Sequence, residues 1–410
     1  MVVGMELAAR PISRLRDDFR RELFDVVLPF WERHGIDHQH GGFLCSLGHD
    51  GTLINSRKFL WFQGRGIWLY SFLYNHFGGN PQHLAIARRA KEFLLRHAPQ
   101  PNGYWAEALD RDGTVLQPFQ GDIYGMYFAV EGLAEYAQAA GDEEALETAL
   151  IMFRRLFAET RHPVAGPPPQ GVWMLRLLIA TRLLQRGNPE GVSEIADRSV
   201  EAIMERHYNP ETGLNAELLE EPEICVFGHT VECLWMVMDE ADRRKDAGLW
   251  KCAAERLRHH LDVGWDHVYG GLAAAVCVDR GGYEWPVERP VETGLEFRQT
   301  GEYHYMKSFW SINEVQVATL KVFERTGAAW AARYFGLAQQ AAEQRFSLKG
   351  RNFPLYLLFT DRRFSFQPNI NRQDNYHFPR QLLFNLQALE RLAEVSQCPQ
   401  SCTGFADARS

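Results

Sequence analysis

The sequence has no apolar run long enough to cross a membrane, although 46% of its 410 residues are hydrophobic. Residues 1–13 contain no apolar segment of signal-peptide length. The seven cysteines are scattered without a C-x-x-C pair, which is typical of reduced thiols in a reducing compartment. These absences predict a soluble, globular protein of the cytoplasm that has no membrane partner.

Several functional motifs are also missing. No basic stretch offsets the net charge of −8, which argues against a nucleic-acid partner. No H-E-x-x-H, G-x-S-x-G or phosphate-loop pattern occurs, so we predict neither a metal ion nor an organic cofactor. The adjacent His259 and His260 lie on a charged amphipathic helix and are expected to be solvated.

What recurs instead is a helical hairpin, formed by an almost wholly apolar helix and an amphipathic one. The turn Gly78-Gly79-Asn80-Pro81 combines a C-terminal glycine, an N-cap asparagine and a proline at the first helical position, and Gly187-Asn188-Pro189 is similar. The predicted helices cover residues 14–31, 59–77, 81–96, 122–139, 143–157, 172–184, 190–205, 226–235, 249–261, 310–323, 330–345 and 378–392.

Six such hairpins can stack as an open solenoid or close into a ring. A solenoid would expose amphipathic faces at both ends, whereas six buried helices suit the inner ring of an all-α (α/α)6 barrel. We therefore predict one barrel domain over residues 14–395, with residues 1–13 as an extension and residues 396–410 as a tail. A longer interval at residues 265–298 predicts a β-hairpin insertion.

The connections alternate in length along the chain. The turns from buried to amphipathic helices are short, whereas the return loops, such as residues 206–227 and 262–305, are long. In an antiparallel arrangement all long loops lie at one end, together with the N-terminus of each inner helix. The positive helix-dipole ends there would suit an anionic intermediate, and we expect the functional site at this end.

The segment V-F-G-H-T-V-E-C-L-W places His229 and Glu232 three residues apart, hence on one face of a buried helix. The helix dipole favours a neutral His229, and Glu232 could orient its ring. The structural alternative is a core histidine that is satisfied by a buried acid.

Other polar and aromatic residues cluster at the starts of the inner helices. Singly, each could be a salt bridge, a helix cap or plain core, but their coincidence at one end of a barrel favours a site. A glycoside hydrolase also stays open, because two of the three carboxylates Asp122, Glu232 and Glu314 could act as its acid and base. The histidines would then be unexplained. The candidates are Trp61, Gln63, Arg65, Asp122, His229, Glu232, Lys307, Trp310, Asn313, Glu314, His377 and Arg380.

Five segments, in this order, resemble the N-acylglucosamine 2-epimerase family: H-G-G-F at residues 40–43, K-F-L-W-F-Q-G-R-G-I-W-L-Y at 58–70, F-G-H-T-V-E at 227–232, W-x-x-N-E at 310–314 and Y-H-F-P-R at 376–380. The resemblance covers about residues 14–392. It implies an (α/α)6 barrel, His229 and His377 as the acid/base pair, Arg65 near O1 or O5 of a sugar, and Glu232 and Glu314 as their supports. The H-F-P-R form is closest to the N-acetylglucosamine branch.

The function that the resemblance implies is epimerisation at C2 between an N-acylglucosamine and an N-acylmannosamine. We expect one histidine to remove the C2 proton and the other to return a proton to the opposite face of an enediolate. The remaining candidates, Trp61, Gln63, Asp122, Lys307, Trp310, Asn313 and Arg380, are predicted to bind the sugar. An aldose-ketose isomerase and a non-catalytic sugar- or protein-binding barrel are the alternatives, and a homodimer is left open.

Overall fold

The computed structural model describes residues 6–158, 168–278, 306–361 and 372–397. Within these residues the chain forms twelve helices in six hairpins. Six helices are the inner ones: α2 Leu60–His76, α4 Ile123–Ala140, α6 Gln170–Arg186, α8 Phe227–Arg244, α10 Phe309–Thr326 and α12 His377–Gln397. Six are outer: α1 Ile12–Arg21, α3 Pro81–His97, α5 Glu143–Ala158, α7 Val192–Glu201, α9 Ala247–Gly264 and α11 Ala329–Ala341.

Three outer helices continue beyond these bounds through wider, π-helical turns. Helix α1 runs on through Glu22–Val27, Leu28–Phe30 and Trp31–Gly35, while α7 and α11 end in Ala202–Arg206 and Ala342–Phe346. The predicted helix over residues 14–31 is therefore confirmed in position but is longer at both ends.

The inner helices lie side by side in chain order, and each packs against one outer helix. Helix α1 packs against α12. The ring closes where α12 meets α2, because Trp68 and Phe72 of α2 lie with ring centroids 6.0 and 5.5 Å from Phe384 of α12. The predicted (α/α)6 barrel is confirmed, and the open solenoid is wrong.

Helices α2 and α4 approach each other closely because glycines face each other across the contact. A Cβ atom on Gly64 would lie 2.3 Å from the backbone carbonyl carbon of Phe128, and one on Gly132 would lie 2.3 Å from the carbonyl oxygen of Gly64. Two side chains larger than hydrogen cannot fit there, so the two glycines fix the distance between these inner helices.

The short turns follow the predicted capping pattern with one difference. The side chain of Asn80 caps α3 by accepting a hydrogen bond from the backbone of Gln82, and Pro81 takes the first helical position. After Gly187, however, α7 begins at Val192 rather than at residue 190, because Gly191 at its N-cap adopts φ +76°. The second turn is thus not a copy of the first.

Short antiparallel β-pairs lie in the long return loops, except for the first two strands, which pair with each other before α1. The strands are β1 Glu6–Leu7, β2 Arg10–Pro11, β3 Lys58–Phe59, β4 Ala108–Leu109, β5 Val115–Gln117, β6 Tyr208–Asn209, β7 Leu214–Asn215, β8 Ile224–Val226, β9 Ala275–Cys277, β10 Lys307–Ser308 and β11 Phe359–Thr360. Strand β9 pairs with β8, directly before α8. Of the β-hairpin predicted over residues 265–298, the part from 279 onward lies outside the described residues.

Among the described helices, none is long and apolar enough to cross a membrane. The adjacent histidines of α9 differ in environment. His259 is exposed, but His260 is fully buried, so the expectation that both are solvated is wrong for His260. Its Nε2 accepts a hydrogen bond from the backbone N–H of Asn215, its Nδ1 donates to the carbonyl of Arg256, and burial lowers its pKa to about 4.

Candidate active site

A cavity opens at the long-loop end of the barrel, among the starts of the inner helices. Its lining contains seven of the twelve predicted residues, namely Trp61, Arg65, Asp122, His229, Glu232, Trp310 and His377. The end of the barrel that the loop lengths predicted is therefore the end at which the cavity opens. Further lining residues were missed by the sequence analysis, among them Tyr124, Met174, Arg372, Gln373 and Asp374.

His377, the first residue of α12, is oriented by a carboxylate on the neighbouring helix. Its Nδ1 lies 3.1 Å from Oε1 of Glu314 on α10. Burial raises the pKa of Glu314, but Arg380 and His377 outweigh it and hold this pKa at about 2. Since an ionised carboxylate only accepts, Nδ1 of His377 carries the hydrogen and Nε2 is left for the cavity.

Arg65 faces that free nitrogen. Its Nη2 lies 3.4 Å from Nε2 of His377, and its guanidinium stacks 3.9 Å from the ring centroid of Phe128. A guanidinium can only donate, so Nε2 of His377 presents its lone pair in this arrangement. Burial lowers the pKa of Arg65, and no ordinary pH removes its charge. The site therefore places a fixed positive charge beside Nε2 of His377.

Glu232 does not orient His229, contrary to the prediction from their spacing. It accepts instead from Nη2 of Arg380, which also donates to Glu314 across 2.7 Å. Nη1 of Arg380 donates to the hydroxyl of Tyr376, and that hydroxyl donates to Glu131 across 2.8 Å. Arg380 is fully buried, does not line the cavity and pairs with both carboxylates.

This cluster has the donor atoms of a cation site. Ligand atoms of Glu232, Glu314 and His377 lie within 4.8 Å of one another. The guanidinium of Arg380, however, already binds both carboxylates and approaches Nδ1 of His377 at 3.4 Å. The positive charge that a metal ion would bring is thus supplied by Arg380.

His229 is oriented by Glu217, a residue that the sequence analysis missed. Nδ1 of His229 lies 3.0 Å from Oε1 of Glu217, in the return loop before α8. The backbone N–H of Glu217 donates to Ile224, and its carbonyl accepts from Gln170 at the start of α6. Several acids occupy this loop (Glu217, Glu220, Glu221 and Glu223), and spacing alone gives no means of choosing among them.

Trp310 lies between the two histidines. Its ring centroid is 5.6 Å from that of His229 and 5.3 Å from that of His377. A Cβ atom on Gly228 would lie 2.2 Å from the indole of Trp310, so the glycine before His229 makes room for this ring. Both imidazoles therefore border the same aromatic surface in the cavity.

Asp122 combines a structural contact with a place in the cavity lining. It caps α4 by accepting from the backbone N–H of Tyr124, and its own backbone N–H donates to Glu107. Burial, together with the nearby charge of Glu107, raises the pKa of Asp122 to about 6. Asp122 can thus accept or donate a hydrogen bond near neutral pH.

Besides Arg380, three predicted substrate-binding residues lie outside the cavity lining. The amide of Gln63 accepts from the backbone N–H of Phe43 and donates to its carbonyl. Lys307 forms an ion pair with Asp266 at 2.9 Å. Asn313 is fully buried in α10. Gln63 and Asn313 each follow or precede a motif residue on a helix, where a step of about 100° turns them away from the cavity, whereas Lys307 lies in β10.

Comparison with known proteins shows which proteins this chain resembles. Residues 41–171 match the family model described as N-acylglucosamine 2-epimerase (GlcNAc 2-epimerase). The N-acylglucosamine 2-epimerase of Bos taurus is 27% identical over 368 residues, which cover 83% of this chain and 82% of the bovine protein. The chain is thus similar to an N-acylglucosamine 2-epimerase along most of its length.

Solved structures share the fold of this chain. A sugar epimerase from a ruminal bacterium superposes with a TM-score of 0.75 at 18% identity, covering 91% of this chain and 98% of the other. The cellobiose 2-epimerase of Spirochaeta thermophila DSM 6192 gives a TM-score of 0.74 at 18% identity, covering 93% and 98%. At these identities the likeness is one of fold.

Proposed function

We propose that this protein is a sugar 2-epimerase that interconverts an N-acylglucosamine and an N-acylmannosamine. The observation that carries the proposal is the pair His229 and His377, two imidazoles that line one cavity, each with its Nδ1 on a buried carboxylate. The names of the relatives support a sugar 2-epimerase, and the N-acyl substrate is the one named for the bovine protein.

Two bases on opposite sides of the sugar can invert the configuration at C2. Epimerisation at C2 of the open-chain sugar requires a proton to leave one face of the carbon and a proton to arrive at the other. Nε2 of one histidine accepts the C2 proton and becomes an imidazolium, while Nε2 of the other donates a proton to the opposite face. General acid/base catalysis of this kind contributes about 10²- to 10⁴-fold.

For an N-acyl sugar the intermediate is an enolate, because C2 carries nitrogen, and its negative charge develops on O1. The guanidinium of Arg65, beside Nε2 of His377, is positioned to stabilise that charge. The N-termini of the inner helices lie at the same end of the barrel and add positive dipole ends. Electrostatic stabilisation of this kind supplies the part of the rate enhancement that acid/base catalysis alone does not.

The glycoside hydrolase alternative is disfavoured by the carboxylates themselves. Glu232 and Glu314 both bind Arg380, and the pKa of Glu314 is held at about 2. A glycosidase needs a carboxylic acid that keeps its proton until it reaches the leaving group. Glu232 and Glu314 are not arranged for that role, so Asp122, with a pKa of about 6, is left without a second carboxylate from the predicted set, and a glycosidase needs two.

The test is C2–H exchange in D₂O, followed by ¹H NMR with N-acetylmannosamine, N-acetylglucosamine and mannose as separate substrates. We expect deuterium at C2 together with appearance of the other N-acyl epimer. Formation of a ketose instead would make the protein an aldose-ketose isomerase. If the protein binds a sugar but none of the three sugars exchanges its C2 proton, the protein is a sugar-binding barrel and the proposal is refuted.

We further propose that one catalytic domain spans residues 14–395 and that the protein works in the cytoplasm, without nucleic-acid or membrane partners, as a homodimer. Limited proteolysis tests the single domain, and light scattering coupled to size exclusion tests the dimer.

A further inference from the structure

We propose that Glu217 is the positioning residue of His229: it fixes the Nδ1–H tautomer and stabilises the imidazolium that forms when Nε2 takes the C2 proton. The inference rests on the proposed epimerase function and extends it to a residue outside the motifs. Glu217 acts through His229 and not on the sugar.

The first support is how rigidly Glu217 is held. Its side chain is only 7% exposed. Its backbone N–H donates to the carbonyl of Ile224 across 2.8 Å, and its carbonyl accepts from the N–H of Gln170 across 2.9 Å. The return loop is thus tied to β8 on one side and to the start of α6 on the other. A carboxylate on such a backbone has its direction set before substrate binds.

The second support is how the helices around His229 are joined. The hydroxyl of Thr230, the next residue of α8, donates to the side-chain oxygen of Gln170 across 3.0 Å. Gln170 therefore contacts both the backbone of Glu217 and the side chain of Thr230. The start of α6 therefore fixes the position of Glu217 relative to the start of α8, which carries His229. The 3.0 Å contact between Glu217 and His229 is thus set by the fold.

The third support is the proton balance of the step. When Nε2 of His229 accepts the proton from C2, the C–H electron pair stays on the sugar as the enolate. The hydrogen on Nδ1 stays in place, donated to the Glu217 carboxylate, which remains ionised. The new positive charge on the imidazolium then faces a buried negative one, an arrangement that favours the charged ring in the transition state.

The site is thereby built from two carboxylate-histidine units of different origin. The acid for His377, Glu314, comes from a neighbouring inner helix and is shared with Arg380. The acid for His229 comes from a return loop. A change at Glu217 should therefore affect only the proton transfers that pass through His229, which a purely structural residue would not do.

The experiment measures C2–H exchange in D₂O for each epimer. We expect Glu217→Gln to lower kcat by about 10²-fold or more while KM stays within threefold, and Glu217→Asp to recover part of the loss. The matched control is Glu220→Gln, an exposed acid three residues further in the same loop, which should behave as wild type.

The decisive measurement adds Glu217→Gln to each single histidine variant. In His377→Asn, exchange through His229 should fall at least tenfold. In His229→Asn, the same change has no histidine left to act on, and the residual exchange should stay within twofold. Equal losses in both backgrounds, or a kcat for Glu217→Gln within twofold of wild type, would overturn the assignment.

A readout without turnover separates this inference from the epimerase proposal. ¹⁵N NMR of histidine-labelled protein should show His229 as the Nδ1–H tautomer in the wild type and mainly as Nε2–H in Glu217→Ala. If wild type fails to exchange any sugar but this tautomer change is seen, the epimerase proposal fails and the positioning role stands. An unchanged tautomer refutes the positioning role whatever the activity.

Discussion

The carboxylate of Glu314 accepts a hydrogen bond from His377 across 3.1 Å, although 63 positions separate the two residues in the chain. They meet because α10 and α12 are neighbours in the inner ring and both begin at the cavity. Burial alone would favour a protonated acid, but Arg380 keeps Glu314 ionised. Glu314 on α10 thus determines that His377 on α12 presents Nε2 to the cavity.

The two histidines are expected to give different exchange patterns. His229→Asn and His377→Asn should each lose net epimerisation, by about 10²- to 10⁴-fold, because one proton transfer is missing in each. Each variant should still exchange the C2 proton of one epimer with D₂O, and the two epimers need not be the same. Near-normal epimerisation in both variants, measured by NMR in both directions, would refute the two-base mechanism.

Arg65→Ala should abolish turnover while the fold persists. The substitution removes the charge beside Nε2 of His377 and hence the stabilisation of the enolate, but it also removes a buried cation whose desolvation is costly. Circular dichroism and the C2 exchange rate check the two halves of this expectation. The control is Arg57→Ala, an exposed arginine eight residues earlier, which should retain activity. An Arg65→Ala protein that fails to fold would make the role structural.

Asp122→Asn should stabilise the protein increasingly as the pH rises from about 4 to about 6. Burial and Glu107 raise the pKa of Asp122 from 3.8 to about 6, so the unfolded chain releases this proton first and wild-type stability falls across that interval. Asparagine keeps the N-cap contact with Tyr124 but carries no charge. Thermal unfolding at pH 5.0 and 7.0 measures the difference. A gap between variant and wild type that is independent of pH would contradict the raised pKa.

Gln63→Ala should lower the free energy of unfolding by about 2 to 4 kcal/mol, because it leaves the N–H and the carbonyl of Phe43 unpaired in the core. KM for the sugar should stay within threefold, since Gln63 does not line the cavity. Urea denaturation and steady-state kinetics separate the two effects. A tenfold rise in KM with unchanged stability would restore the sugar-binding role that the sequence predicted.

Much of the fold could be predicted because it depends on local patterns. Apolar helices alternate with amphipathic ones, and this alternation specifies which helix of each hairpin is buried. The lengths of the connections then indicate the end at which the cavity opens. Helix boundaries were less exact, as at Val192, because a single glycine with positive φ moved the start of α7.

The sequence by itself determined the barrel, the end that carries the cavity, and the presence of Arg65, His229 and His377 there. Only the tertiary structure decided the partners. Glu232, one turn from His229, binds Arg380, whereas Glu217 reaches His229 from a loop. The physical reason is that a buried charge is stabilised by whichever opposite charge the fold places next to it. Side chains three residues apart lie on one helix face, but this does not make them interact with each other.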